Sequence, residues 1–156
     1  MARLFPALLL GLLPLLAAPA SSADVAKHGS WQRSCKDGSC ILSQGLTNPD
    51  KPGIIYSAQF QRIDGGKQLV MQLNLPLGIY LPPGLGLEIG SVRKELPLAV
   101  CIPNGCKALM TVDGPLEQQL RSADSLKLRF HVNESTSNEL VFPLTGIATG
   151  LDSLNP

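Results

Sequence analysis

Four cysteines carry what reactive chemistry this sequence could offer, and they come as two matched pairs, Cys35-Lys-Asp-Gly-Ser-Cys40 and Cys101-Ile-Pro-Asn-Gly-Cys106. Paired thiols could do three things. A thiol–disulfide oxidoreductase places Cys-x-x-Cys at a helix start, where the thiolate is stabilised. A four-cysteine zinc site needs pairs spaced two to four apart and thiolates that stay reduced. Structural disulfides need only an oxidising compartment and two facing side chains. Here each pair encloses four residues that include Gly plus Asp or Asn, which is turn chemistry. The setting is strand–turn–strand, so structural disulfides are the expectation. Three pairings are possible in principle. Cys35–Cys40 and Cys101–Cys106 are favoured, because residues facing each other across a hairpin lie about 4.5–5.5 Å apart at Cα. A six-residue loop closed this way contributes roughly 2 kcal/mol by chain entropy, whereas a long-range link such as Cys40–Cys101 would contribute about 4. Local pairs therefore fix the shape of two loop tips more than they stabilise a fold.

Other reactive groups are sparse. Of the two histidines, His28 lies in a polar lead-in and His131 follows Lys127 and Arg129 on the outer face of an expected strand. Asp37, Asp64 and Asp113 fall at turns, where Asp serves the backbone. Asn133-Glu-Ser135 matches a glycosylation sequon, which matters only in a cell that glycosylates its exports. Neither a Gly-x-Ser-x-Gly elbow nor a His-Glu-x-x-His motif occurs, nor a phosphate loop or dinucleotide fingerprint. No catalytic, cofactor-binding or metal-binding residues are expected, and no cofactor.

The compartment follows from the first 23 residues. Arg3 precedes an apolar run from Leu4 to Leu16, and Ala17-Ala-Pro-Ala20-Ser-Ser-Ala23 offers cleavage after Ala20 or Ala23. That is the plan of a secretory signal peptide, with an apolar core too short for the roughly 20 residues of a membrane span. Residues 24–156 then form one domain, long enough to bury a core without metals. Losing Arg3 brings the 13 basic residues down to the number of acidic ones, 12. A net charge of zero gives no reason to expect nucleic acid or an anionic membrane as a partner.

Hydrophobic periodicity supplies the elements that hold the cysteine tips. Ile54, Tyr56, Ala58 and Phe60 alternate with Ser57, Gln59 and Gln61; past Asp64-Gly-Gly66, Leu69, Met71, Leu73 and Leu75 repeat the pattern. Two such runs around a Gly-rich turn predict a β-hairpin. Asn48-Pro-Asp-Lys-Pro-Gly53 predicts a loop, and Leu75 to Gly84 is too rich in Pro and Gly for regular pairing, so it caps the core or runs along a sheet edge. Leu85, Leu87 and Ile89 form a further strand; Leu96, Leu98 and Val100 form one face of the strand entering Cys101, and Cys106, Ala108, Met110 and Val112 one face of the strand leaving Cys106. Asp113-Gly-Pro115 opens a short helix carrying Leu116 and Leu120. Strands follow over Leu126–Val132 and Glu139–Thr145, and Ile147, Leu151 and Leu154 line a short closing helix. About eight strands joined by hairpins, with one or two short helices, predict an all-β fold: an antiparallel β-sandwich or flattened barrel.

The order of these features resembles the invasion-associated locus B family of bacterial exported proteins. The residues that carry the resemblance are Trp31-Gln-Arg-Ser-Cys35 with Cys40, Leu75-Pro-Leu-Gly78, Leu81-Pro-Pro-Gly-Leu-Gly-Leu-Glu-Ile-Gly90, Cys101-Ile-Pro-Asn-Gly-Cys106-Lys-Ala108 and Leu144-Thr-Gly-Ile-Ala148. It spans Trp31 to about Leu154 and departs at Ile147, where the family pattern calls for an aromatic. The resemblance implies a small periplasmic or surface-exposed all-β protein of a Gram-negative bacterium. The family takes its name from a member implicated in host-cell entry, and it supplies no catalytic or binding residues to carry over.

The function expected is non-enzymatic contact with a protein or envelope partner, with host-cell interaction as one form of it. The alternatives are a periplasmic thiol–disulfide oxidoreductase, or an envelope structural or stress protein with no specific ligand. The expected interaction surface combines the disulfide-held tips with the stiff apolar segment: Tyr80, Leu81, Pro82, Pro83, Pro103 and Asn104. Location in the periplasm or at the cell surface is expected, with no membrane span after the signal peptide.

Overall fold

Eleven strands and two short helices make up residues 24–48 and 51–155, the part of the chain that the computed structural model describes. The strands are β1 (Asp24–His28), β2 (Trp31–Lys36), β3 (Ser39–Asn48), β4 (Lys51–Ile63), β5 (Gln68–Leu75), β6 (Leu85–Ile89), β7 (Val92–Leu96), β8 (Val100–Ile102), β9 (Gly105–Val112), β10 (Ser125–His131) and β11 (Ser137–Pro143). Helix α1 (Gly114–Ser122) joins β9 to β10, and α2 (Ile147–Asp152) closes the chain. All pairing is antiparallel. A seven-stranded sheet runs β1-β2-β3-β4-β5-β9-β8 and a four-stranded sheet runs β11-β10-β6-β7. The two sheets are separate, so the fold is the sandwich and not the closed barrel. The signal-peptide expectation lies outside the described residues.

Alternation decides which side chains meet between the sheets. Tyr56, Ala58 and Phe60 on β4 and Leu69, Met71, Leu73 and Leu75 on β5 are buried from the large sheet. Leu85, Leu87 and Ile89 on β6 and Leu126, Leu128 and Phe130 on β10 are buried from the small one. Tyr56 and Phe130 meet across the layers with ring centroids 5.6 Å apart, and Trp31 tilts against Phe60 at 5.3 Å. The predicted central hairpin is therefore the middle of the core.

Three local expectations are corrected. The lead-in before Trp31 is the edge strand β1, paired along its whole length with β2. Its backbone finds partners even though its side chains bury little. Most of the predicted loop at Asn48–Gly53 is strand: β3 runs to Asn48, β4 starts at Lys51, and a register shift at Thr47/Asn48 absorbs the irregularity. The single strand expected through Leu96, Leu98 and Val100 is two strands in different sheets. Pro97 lacks the N–H that a ladder needs, and the chain crosses between sheets there. Burial follows the crossing, from Leu96 buried through Leu98 half-buried to Val100 exposed.

Strands β1 and β2 are tied to the segment that leaves β11. Trp31 is fully buried, and its Nε1–H donates to the Pro143 carbonyl at 3.1 Å, joining the large sheet to an edge of the small one. The Ser30 N–H donates to the Thr145 carbonyl at 3.0 Å. Gly146 takes φ +84°, and a Cβ there would land on the His28 carbonyl group. Only glycine lets these two backbones cross. Here lies the physical content of Leu144-Thr-Gly146.

Next to α2, Asp113 caps α1 by accepting the Leu116 N–H at 2.9 Å. That bond holds the Asp113 carboxyl below the usual carboxylate range against desolvation, with Lys94 assisting. Leu116 and Leu120 face the core, and Glu117 accepts from Arg62 of β4 at 3.1 Å and from Arg121 at 2.7 Å. Arg121 also reaches Asp152 of α2 at 2.9 Å, so one half-buried ion network links a strand to both helices.

Candidate functional site

Both cysteine pairs are disulfides, Cys35–Cys40 and Cys101–Cys106, with Cα separations of 4.0 and 3.9 Å. Each sits one step back from a two-residue turn. Lys36 pairs with Ser39 around Asp37-Gly38, both at positive φ as a type I′ turn demands, and Ile102 pairs with Gly105 around Pro103-Asn104. The residues flanking such a turn form the hydrogen-bonded pair, so the cysteines occupy the next, non-bonded pair, where strands come closest. This register accounts for Cα separations below the expected range.

The two tips lie at opposite ends of the large sheet. Cys106 pairs with Leu75, whereas Ile41, next to Cys40, pairs with Gln61 near the far end of β4. Leu69, at that far end of β5, is six residues from Leu75, about 20 Å along the strand direction. They cannot share one surface. Only the Cys101–Cys106 tip joins the Pro/Gly-rich segment: the Gly105 backbone packs against Leu75 and Pro76.

There the structure opens a groove of about 580 Å³ between two walls. One wall is Leu81, Pro82, Pro83 and Gly84; the other is the crossover from β7 to β8, through Pro97, Leu98 and Val100 to Cys101. Leu77, Leu81, Val100 and Ile102 are exposed around this end. Strand β8 is an edge of the large sheet. The non-bonded position of Cys101 turns its own N–H and C=O away from β9, toward that free edge.

The other surface residues singled out by sequence fall elsewhere. Tyr80 is half-buried and turned toward β10, its N–H donating to the His131 carbonyl at 2.7 Å and its hydroxyl to Glu134 at 3.3 Å. Pro103 and Asn104 are exposed at the tip without lining the groove. His131 is half-buried, not fully exposed beside Arg129. The crossover wall was missed because Leu96, Leu98 and Val100 mimic one strand face; Pro97 in their midst was the signal that could have found it.

The outward faces of the two sheets differ in charge. Over the small sheet, Glu88 pairs with Arg93 at 3.0 Å and Lys127 at 3.4 Å, and Arg129 with Glu139 at 3.5 Å. Desolvation pushes the Glu88 carboxyl up, but the two cations outweigh it and leave the group below its ordinary value. These groups surround a shallow depression of about 340 Å³ over Gly86. The outward face of the large sheet mixes amides and hydroxyls with exposed aliphatic side chains, Val25, Ile41, Ile55, Ile63 and Leu109 among them; Gln72 Nε2 donates to Asn74 at 2.7 Å and Asn74 Nδ2 to Ser57 at 2.9 Å. Among the described residues no helix is long and apolar enough to cross a membrane.

Together these features define a small antiparallel β-sandwich with two clipped hairpins and a glycine crossing that ties β1 and β2 to the segment after β11. The family model of the Invasion associated locus B (IalB) protein matches residues 31–155, and the chain belongs to that family. The fold is similar to the crystal structure of invasion associated protein B from Bartonella henselae, with a TM-score of 0.71 and 20% sequence identity over 83% of this chain and 94% of that one. A search of curated proteins gave no match.

Proposed function

We propose that this chain is an exported, non-enzymatic protein that works by contact, holding an extended segment of a partner protein in the groove beside β8. The observation that carries the reading is the meeting of a stiff apolar wall, Leu81–Pro83, with a disulfide-clipped sheet edge at Cys101. An edge strand offers backbone hydrogen bonds to an added strand, and apolar pockets beside it select side chains. Exposed aliphatic residues gathered at one end of a molecule mark an interaction site. The family name supports a role at the host–bacterium boundary, and the two disulfides suit an oxidising compartment. Less supports a thiol oxidoreductase, because both disulfides sit at strand–turn–strand tips and not at a helix start.

The test is affinity capture from periplasmic and outer-membrane fractions with the wild type, Leu81→Asp/Val100→Asp, and Cys101→Ser/Cys106→Ser. Loss of the same bound protein from both variants, with thermal unfolding otherwise intact, is the expected result. Equal recovery by all three would dismiss the groove. Insulin reduction above the buffer rate would instead favour the redox alternative.

A further inference from the structure

We infer that the outward face of the seven-stranded sheet binds an anionic polysaccharide laid across its strands. Register defines the track. Lys27 on β1 pairs with Gln32, Gln32 with Ser43, Ser43 with Gln59, and Gln59 with Gln72, so one polar row crosses five strands. Asn74, two residues from Gln72, pairs with Lys107 on β9, which ends the track with a second lysine. Five strand steps make it about 24 Å long.

Three properties of this face select the ligand. The first is charge. Among the described residues, every outward strand position of this sheet lacks a carboxylate, and Lys27, Lys36 and Lys107 have no ion-pair partner. The opposite face is the reverse, with its cations matched to Glu88 and Glu139. A chain of near-zero net charge thus presents one surface that is only positive, which is complementary to a polyanion. The second is hydrogen-bonding capacity. Each primary amide has two N–H groups and an acceptor oxygen, more than the mutual bonds between Gln59, Gln72, Asn74 and Ser57 consume. A row of amides and hydroxyls at strand spacing matches the dense hydroxyls of a sugar chain. The third is the want of stacking partners: Trp31, Tyr56, Phe60, Phe130 and Phe142 are all buried. A neutral glycan would have no aromatic platform here, so charge and hydrogen bonds must supply the affinity.

The experiment uses the purified, oxidised protein and immobilised heparin as the sulfated-polysaccharide probe. Neutral dextran and phosphatidylglycerol vesicles are run in parallel. Retention on heparin and not on dextran, lost as salt rises, is expected. The Lys27→Gln/Lys107→Gln variant should bind at least tenfold more weakly, with the slope of log K against log salt reduced by about two. Gln59→Ala/Gln72→Ala should weaken binding while leaving that slope alone, and Arg93→Gln/Arg129→Gln on the far face should change neither. No retention above dextran, or equal loss from the far-face variant, would overturn the inference. Binding to the vesicles without binding to heparin would overturn it in favour of a lipid surface.

Discussion

Single residues do unequal work here, and Trp31 and Gly146 do the most. Trp31 fills the core beside Phe60 and spends its one polar atom on the Pro143 carbonyl, 112 residues away. Trp31→Ala should cost about 3–5 kcal/mol by transfer and cavity terms. Trp31→Phe should cost less, with about 1 kcal/mol traceable to the lost hydrogen bond. Gly146→Ala adds one methyl, yet it meets a left-handed backbone, worth about 1–2 kcal/mol, and the His28 carbonyl besides. Urea unfolding checks all three, and a Gly146→Ala midpoint equal to wild type would show that the crossing is not tight. Sequence pointed to both positions, through the resemblance, without revealing why. The reason is a contact between residues more than a hundred apart, which no local pattern encodes.

Elements were legible where a period was clean. Tyr56 to Gln61 and Met71 to Leu75 alternate cleanly, and both lie in strands of the central hairpin. Asp-Val-Ala-Lys-His gave no such signal, because β1 is an edge strand with mostly exposed side chains. Its existence depends on backbone pairing with β2, which leaves little trace in side-chain type. Half of the groove was legible for a similar reason: Leu81-Pro-Pro83 announces itself by composition, while the crossover wall is defined by where the chain changes sheets. Two elements also contribute to how stability depends on pH. Glu88 on β6 and Asp113 at the start of α1 both hold their carboxyls below ordinary values. Around pH 4 the unfolded chain therefore binds more protons than the folded one. Their contribution is fully present above that pH and is lost as pH falls through the lowered values. The urea midpoint should thus be flat from pH 7 to about 5 and fall below about 4. Glu88→Gln should make the fall shallower; a midpoint unchanged down to pH 3 would refute the assignment.

At the scale of the whole molecule, the sandwich separates its surfaces by kind. One end holds α1, α2 and the ion network of Arg62, Glu117, Arg121 and Asp152; the other holds the Pro/Gly segment, the clipped tip and the groove. One face pairs its charges; the other has no carboxylate at its described strand positions and mixes amides, hydroxyls and exposed aliphatics between lysines. Composition could not foretell this separation, since a net charge of +1 averages the two faces away. The proposed polysaccharide track ends at Lys107, which pairs with Val100 of the groove wall, so the two proposed sites adjoin at the β8 edge.

The crossing of Gly29 and Gly146 has a consequence for the order of events in the life of the chain. The β1–β2 hairpin, made first, is seated by Pro143, Thr145 and the carbonyl of Ser153, made last. Contacts of such long sequence separation close slowly, because loop entropy is lost before they reward it. The β1–β2 hairpin therefore lacks its seat until the segment from Pro143 to Ser153 is in place. A version ending at Phe142 should remain open to protease under conditions where the full chain resists it, even with both disulfides able to form.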